Sequence, residues 1–480
     1  MRDLLVLAIV LLMLPGAFRR PFVGLLLFSW LAYMRPQDLC WGFVRPMRLS
    51  FFVGIVMVVG WWANEQGRRP FARWDFRSVA ICVLTVLVTL SYLMAQTWDQ
   101  YTNRFFAEFL KIVVVALFTS GQVDSKQRLR GMLWMIAISL GFFGVKGGIF
   151  GILSAGRAIK RGPGGMLEDN NDFALGLVMN IPLLWYLGAS ERKLPWVKPC
   201  TQVAVALTII TVALTHSRGG FLAMVATGLW IAWRSGKLVR AVLLLAALGV
   251  IFLLCVPTEV LDRLGSITDT GESSIQARLR SWAVALGMIK AHPLLGVGMR
   301  NFLYRFEEFT DTPLGMGEQT HVAHNSYLQI WAESGSFAFI VYLMLLGSVF
   351  AVCRKAYRVA RVRPDMRWAA DYSRMFEATT IGFLVGSVFL NRGHFDLIYH
   401  WIALVTALGA IVAMELRRSV TAASETASAS ATDAPVAGQA AIEVGWRKRG
   451  RGPRTWVPAS QTADGGSPMS TSWRRPGWWR

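Results

Sequence analysis

Apolar runs of near-membrane length, separated by short polar loops, recur from the first residues to about position 415. They lie at 4–18, 22–34, 49–63, 77–96, 105–120, 131–154, 172–190, 199–214, 219–233, 239–256, 325–352, 374–390 and 397–415. A bilayer core needs about 20 apolar residues per helical crossing. The first two runs are short and divided by Phe18-Arg19-Arg20-Pro21, so residues 1–34 form either two short spans or one broken span. The pattern predicts an all-α polytopic membrane protein with thirteen candidate segments and about twelve transmembrane helices.

The polar stretches divide the chain further. Residues 1–256 form an N-terminal bundle of spans, 257–324 a cap loop, 325–416 the C-terminal spans, and 417–480 a tail. The cap carries acidic and basic residues in near balance, so it is expected to fold. Within it, Ile275–Ala291 has helical periodicity, and His292-Pro293-Leu294-Leu295-Gly296-Val297-Gly298 ends that helix in a turn. The tail is Ala/Ser/Thr-rich, then basic, then Trp/Arg-rich, a composition that predicts disorder.

Composition sharpens this reading. The chain has 480 residues, is 54% hydrophobic and only 16% charged, and carries a formal charge of +21. In a soluble chain that charge would suggest nucleic acid. Here the basic residues cluster between apolar runs and in the tail, so they act in membrane topology and against lipid headgroups. Loops holding Arg68/Arg69/Arg73/Arg77, Lys126/Arg128/Arg130, Arg192/Lys193/Lys198, Arg234/Lys237/Arg240 and the 353–371 cluster are expected in the cytoplasm, with the tail. Segments 35–48, 97–104, 155–171, 215–219, 257–324 and 391–396 then face the other side. The five cysteines are scattered singly without CxxC spacing and read as structural. Met1-Arg2-Asp3 before Leu4–Leu14 lacks a small-residue cleavage site and reads as the first membrane segment.

Chemistry is expected on the far side, around His324 at the mouth of a span. Its place at a helix start favours a neutral ring able to accept a proton. Three arginine-bearing elements share that side. The first is the Gly-rich stretch holding Arg157, Lys160 and Arg161, among which the sequence does not choose. The second is Ser217-Arg218-Gly219, and the third is Arg278-Leu279-Arg280-Ser281-Trp282. Guanidinium forks match phosphate oxygens, so these elements suggest a phosphorylated lipid substrate. Asn325, Glu333, Arg392 and Asp172 are read as supporting residues. Glu333 lies roughly 13 Å deeper than His324 at 1.5 Å per residue, where it braces a neighbouring arginine or is interrupted by a break at Gly335. Arg392 and Asp396 share a short loop and could pair, while His216 and His321 read as structural. No HExxH, acidic metal pair or P-loop is present, which points to a reaction without metal, nucleotide or other cofactor.

These motifs resemble the O-antigen ligase family. The resemblance is carried by Arg-Gly-Pro with Glu168-Asp169-Asn170-Asn171, Ser217-Arg218-Gly219, Arg278 with Trp282, Pro293-Leu294-Leu295-Gly296-Val297-Gly298, and His324-Asn325 with Leu328, Glu333 and Gly335. Arg35-Pro36-Gln37-Asp38 and Trp41-Gly42-Phe43 are similar to a subgroup described as O-glycosylation ligases associated with exosortase systems. The resemblance implies a GT-C-like membrane glycosyltransferase with a periplasmic cap in the bacterial inner membrane. It implies inverting transfer of a polysaccharide from undecaprenyl diphosphate to lipid A-core, with His324 as general base and Arg218 and Arg278 on the diphosphate. A polymerase or a protein O-oligosaccharyltransferase would share these features with another acceptor. A flippase for a lipid-linked sugar would favour internal repeats and broken midplane helices, and the chain shows no repeat.

Overall fold

The computed structural model describes residues 1–243, 276–310 and 320–432, with side chains to residue 421. The chain divides into a unit Met1–Thr421 and a second unit Ala422–Arg480. The predicted run 239–256 beyond residue 243, cap residues 257–275 and 311–319, and the tail beyond 432 lie outside the described residues.

The described apolar runs are all helical. They form α1 (Arg2–Arg19), α2 (Pro21–Tyr33), α3 (Leu49–Asn64), α4 (Phe76–Leu93), α5 (Gln100–Gln122), α6 (Lys126–Leu153), α7 (Asn170–Ser190), α8 (Val197–Leu214) and α9 (Arg218–Arg234). A cap helix α10 covers 276–291, followed by α11 (Ser326–Val362), α12 (Arg367–Gly386) and α13 (Asp396–Thr432). The chain breaks at Arg20, so residues 1–34 are two helices that pack on each other and on α3. Seven helices (α4 to α8, α11 and α13) are long and apolar enough to cross a membrane, and α2 and α3 are shorter apolar helices. Of the thirteen expected segments, the run 239–256 lies mostly outside the described residues, and α1, α9 and α12 fall outside this group. Arg2, Asp3 and Arg19 put charge on both ends of α1, arginines bound the 17-residue α9, and α12 opens with charged turns. The last helix runs past the predicted end at 415 to Thr432, into the tail expected to be disordered, through a stretch in which the good helix former Ala recurs among Ser and Thr.

Burial sorts the helices. Nearly every residue of α7 from Asp172 to Gly188 is buried, so it lies inside the bundle against α6, α8, α9 and α12. Val79, Val83, Val86, Leu90 and Leu93 of α4 instead form an outward apolar stripe at helical spacing. Such a stripe would be a liability in water and suits lipid. Small residues close the α6–α8 contact. A Cβ at Gly144 would lie 2.3 Å from the Thr208 hydroxyl, and Thr211 Oγ1 donates to the Gly144 carbonyl at 2.6 Å.

One non-local motif shapes the region below His324. α11 is two helical pieces joined at Gly335, with φ 79° and ψ 175°, a conformation open essentially to glycine alone. The break leaves the last carbonyls of the short piece 326–334 without helical partners. The turn after α10 supplies them: Val297 N–H donates to Ala332 O at 2.9 Å and Gly298 N–H to Glu333 O at 3.0 Å. Ser336 N–H donates in return to Pro293 O at 2.8 Å. Gly296, at φ +71°, lets this turn approach, since a Cβ there would sit 2.5 Å from the Ala332 carbonyl oxygen. The Pro-Leu-Leu-Gly-Val-Gly and Glu-Ser-Gly motifs are thus two halves of one junction.

Candidate functional site

His324 stands just outside α11 in the left-handed region, at φ 45°. Its neighbours hold it there. Asn325 caps the helix, its Oδ1 accepting from Tyr327 N–H at 3.0 Å and Leu328 N–H at 3.1 Å. On the other side, Trp282 Nε1 of the cap helix donates to Ala323 O at 2.8 Å, and Ser281 Oγ to His321 O at 3.3 Å. The Arg-x-x-x-Trp motif therefore fixes the chain leading into the histidine.

The imidazole is half-buried, and its pKa lies below the ordinary value of 6.5. Burial is the main cause, the positive charges of Arg278 and His321 add to it, and Asp169 opposes it. The direction agrees with that expected from the helix start, where Asn325 occupies two of the free N–H groups, and burial is its largest cause. The consequence is unchanged: a ring held toward its neutral form beside the start of α11.

A cavity of about 230 Å³ opens beside His324. Arg300, Arg392, Asp169, Asp172, Tyr101 and Phe105 are among its other walls. Each arrives by a separate route. Asp169 caps α7, its Oδ1 accepting from Asn171 N–H at 2.8 Å, which puts Asp172 in the first turn. Arg392 is placed by Ser326, whose Oγ accepts from Arg392 N–H at 2.8 Å and donates to Leu390 O at 2.7 Å. Its guanidinium pairs with Asp172, not with Asp396 as loop proximity suggested. Burial disfavours the charge of Arg392, but its hydrogen bond to Asp172 and the nearby carboxylates outweigh this and raise its pKa.

Arg300 is the wall residue that sequence reasoning missed. It follows Gly298 in the turn that closes the α11 break, at φ 62°. Asn301 fastens that turn to the α4–α5 connection: Thr97 N–H donates to Asn301 Oδ1 at 3.1 Å and Asn301 Nδ2 donates to Thr97 O at 3.2 Å. Tyr304 Oη donates to Asp99 Oδ2 at 2.5 Å. The Arg300 guanidinium carbon lies 4.0 Å from the centroid of the Phe105 ring. Its Nε is buried without a hydrogen-bond partner; no described carboxylate lies within ion-pair distance of the guanidinium, although its charge acts on Glu333 and Asp172 and its backbone N–H donates to the Glu333 carboxylate. The available signal was a cation in a far-side turn beside two glycines.

The structure places the expected arginines around this cavity rather than in it. Arg157 and Arg161 are exposed on the Gly-rich loop, which a backbone bridge between Arg161 and Asp169 ties to the start of α7. Arg35, paired with Asp38 at 2.5 Å, packs against Gly165 of the same loop. Arg218 is exposed at the first turn of α9, and the turn before it is tied to the start of α7 by Asn170 Nδ2 donating to Thr215 O at 2.8 Å. Arg278 acts on His324 through its charge, and Arg280 donates from Nε to Thr310 Oγ1 at 3.1 Å. Glu333 is buried below the cavity, accepting from Gln329 Nε2 at 3.2 Å. His216 and His321 are exposed. His394 lies behind the site against Phe109, its pKa pushed down to about 3 by burial and then by Arg300.

A model of the O-antigen ligase family matches residues 203–343, and a model of a family of unknown function matches residues 1–191. The first match contains Arg300, His324 and the paired motifs of the α11 break, and the second contains Asp172 and the Gly-rich loop. No curated protein matches the chain. Among the described residues seven helices are long and apolar enough to span a membrane, and residues 203–343 are similar to the O-antigen ligase family.

Proposed function

We propose that this chain, which is similar to the O-antigen ligase family over residues 203–343, transfers a preassembled polysaccharide from undecaprenyl diphosphate to lipid A-core at the periplasmic face of the bacterial inner membrane. The observation that carries the reading is the meeting of a neutral, half-buried His324 with Arg300 and Arg392 in one cavity.

His324 takes the proton of the acceptor hydroxyl as its oxygen attacks the anomeric carbon of the donor sugar. The bond from that carbon to the diphosphate oxygen breaks with inversion, and undecaprenyl diphosphate leaves with the bonding electrons. Arg300, which has no ion-pair partner among the described residues, faces the negative charge that develops there. Arg392 is held by Asp172 and orients substrate as a hydrogen-bond donor, while Arg278 keeps His324 deprotonated and, with Arg218 and the Gly-rich loop, draws the anionic donor toward the cavity. Tyr101 and Phe105 offer aromatic faces to a sugar ring.

The test is transfer by purified protein from an undecaprenyl-diphosphate-linked glycan to lipid A-core, comparing wild type with His324→Ala, with and without EDTA. General-base catalysis is worth about 10²–10⁴ in rate, so the variant is expected to lose at least about a hundredfold. Wild-type product should persist in EDTA. Transfer to a glycan or a protein but not to lipid A-core would change the acceptor, and an undiminished variant would remove His324 from the mechanism.

A further inference from the structure

A second cavity, of about 410 Å³, opens where the end of α7, the end of α11 and the start of α12 meet, at the opposite end of the bundle from His324. Arg192 enters from the α7–α8 connection, Tyr357 and Arg361 from the last turns of α11, and Arg367, Asp371 and Arg374 from α12. Neighbouring carboxylates are engaged elsewhere. Glu191 pairs with Arg130, Asp365 with Arg363 at 3.3 Å, and Glu377 with Arg234 at 3.0 Å. Asp371 is therefore left facing four arginines.

Arg374 is already oriented for an incoming acceptor. Its Nη2 donates to Tyr357 Oη at 3.0 Å, and its guanidinium carbon lies 5.1 Å from the centroid of the Tyr357 ring. Its Nε is buried without a hydrogen-bond partner. A buried donor without an acceptor is uncommon, and it stands here in a cavity with a surplus of fixed positive charge. We infer that the cleft formed by Arg192, Arg361, Arg367 and Arg374 binds a phosphate-bearing anion. Guanidinium forks match phosphate oxygens in pairs, and the cleft opens at helix ends, where a phospholipid headgroup or a soluble phosphate can enter.

The test uses the full-length protein in nanodiscs of phosphatidylcholine, with or without phosphatidylglycerol, and in phosphatidylcholine nanodiscs titrated with inorganic phosphate or diphosphate. Thermal unfolding is followed for wild type, Arg361→Gln/Arg367→Gln, and the control Arg354→Gln/Arg358→Gln, which removes equal charge outside the cavity. All four substituted side chains are exposed, so folding should survive. Wild type should unfold at higher temperature with one of the anions, and the Arg361/Arg367 variant should bind it at least about tenfold more weakly, while the control matches wild type. A response to phosphatidylglycerol alone identifies a lipid headgroup, and a response to soluble phosphate identifies a free anion. Wild type indifferent to every anion, or a control as impaired as the cavity variant, overturns the proposal.

Discussion

At the end of the bundle formed by residues 65–75, 123–125 and 191–196, partly buried arginines are matched to carboxylates. Arg69 lies 2.9 Å from Glu65 and 2.6 Å from Asp124, Arg77 pairs with Asp75, and Arg130 with Glu191. Deeper on the same side, Arg234 meets Glu377 at 3.0 Å. At the other end Arg392 is matched to Asp172, Arg35 to Asp38 and Arg305 to Glu308, but Arg157, Arg161, Arg218, Arg278 and Arg300 have no ion-pair partner among the described residues. A matched arginine clamps helices together and has little field left over. An unmatched one beside a cavity keeps its charge for an anion arriving from outside. The Arg374 cleft departs from the rule of its own end, and there the same logic points to a second anion.

The contrast can be broken most sharply at the matched pairs. Asp172→Asn should destabilise by about 3–5 kcal/mol, the cost of leaving one partner of a buried pair uncompensated, and Glu377→Gln by a similar amount. Replacing both partners with apolar residues should restore the unfolding temperature in each case. Transfer activity should return for the Arg234/Glu377 double variant and stay lost for the Asp172/Arg392 one. Recovery of activity in both would make Arg392 a purely structural residue.

Arg300→Gln should leave the unfolding temperature near that of wild type and lower kcat by about 10²-fold, the typical loss for one donor to a developing charge. Equal damage to stability and turnover would show that its stacking on Phe105, and not its charge, is what matters.

The smallest effect concerns pH. His324 must be neutral to accept a proton, so activity falls as pH drops through its pKa, which lies below 6.5. The acid limb of kcat/KM should therefore sit below the ordinary imidazole range. Arg278→Gln removes a positive neighbour and should move that limb to higher pH, yet still short of the ordinary value, because burial is the larger cause. An unmoved limb would mean that another group titrates.

Helix positions were legible in the sequence because apolar length and period are local properties, and every described run became a helix. His324 was legible for the same reason, since it stands where a polar segment meets an apolar run, whereas the capping role of Asn325 came from the structure. What the sequence could not determine depends on contacts between distant segments. The break at Gly335 is stable because residues 297 and 298 satisfy its carbonyls. Arg300 becomes a wall of the cavity because Asn301 ties its turn to Thr97, some two hundred positions earlier. Arg392 chose Asp172 over the nearer Asp396, and His324 owes its neutrality chiefly to burial. Local pattern thus determined which segments are helices and where His324 stands. Tertiary packing decided which arginines stand beside it, because burial and pairing are settled only when separate helices meet.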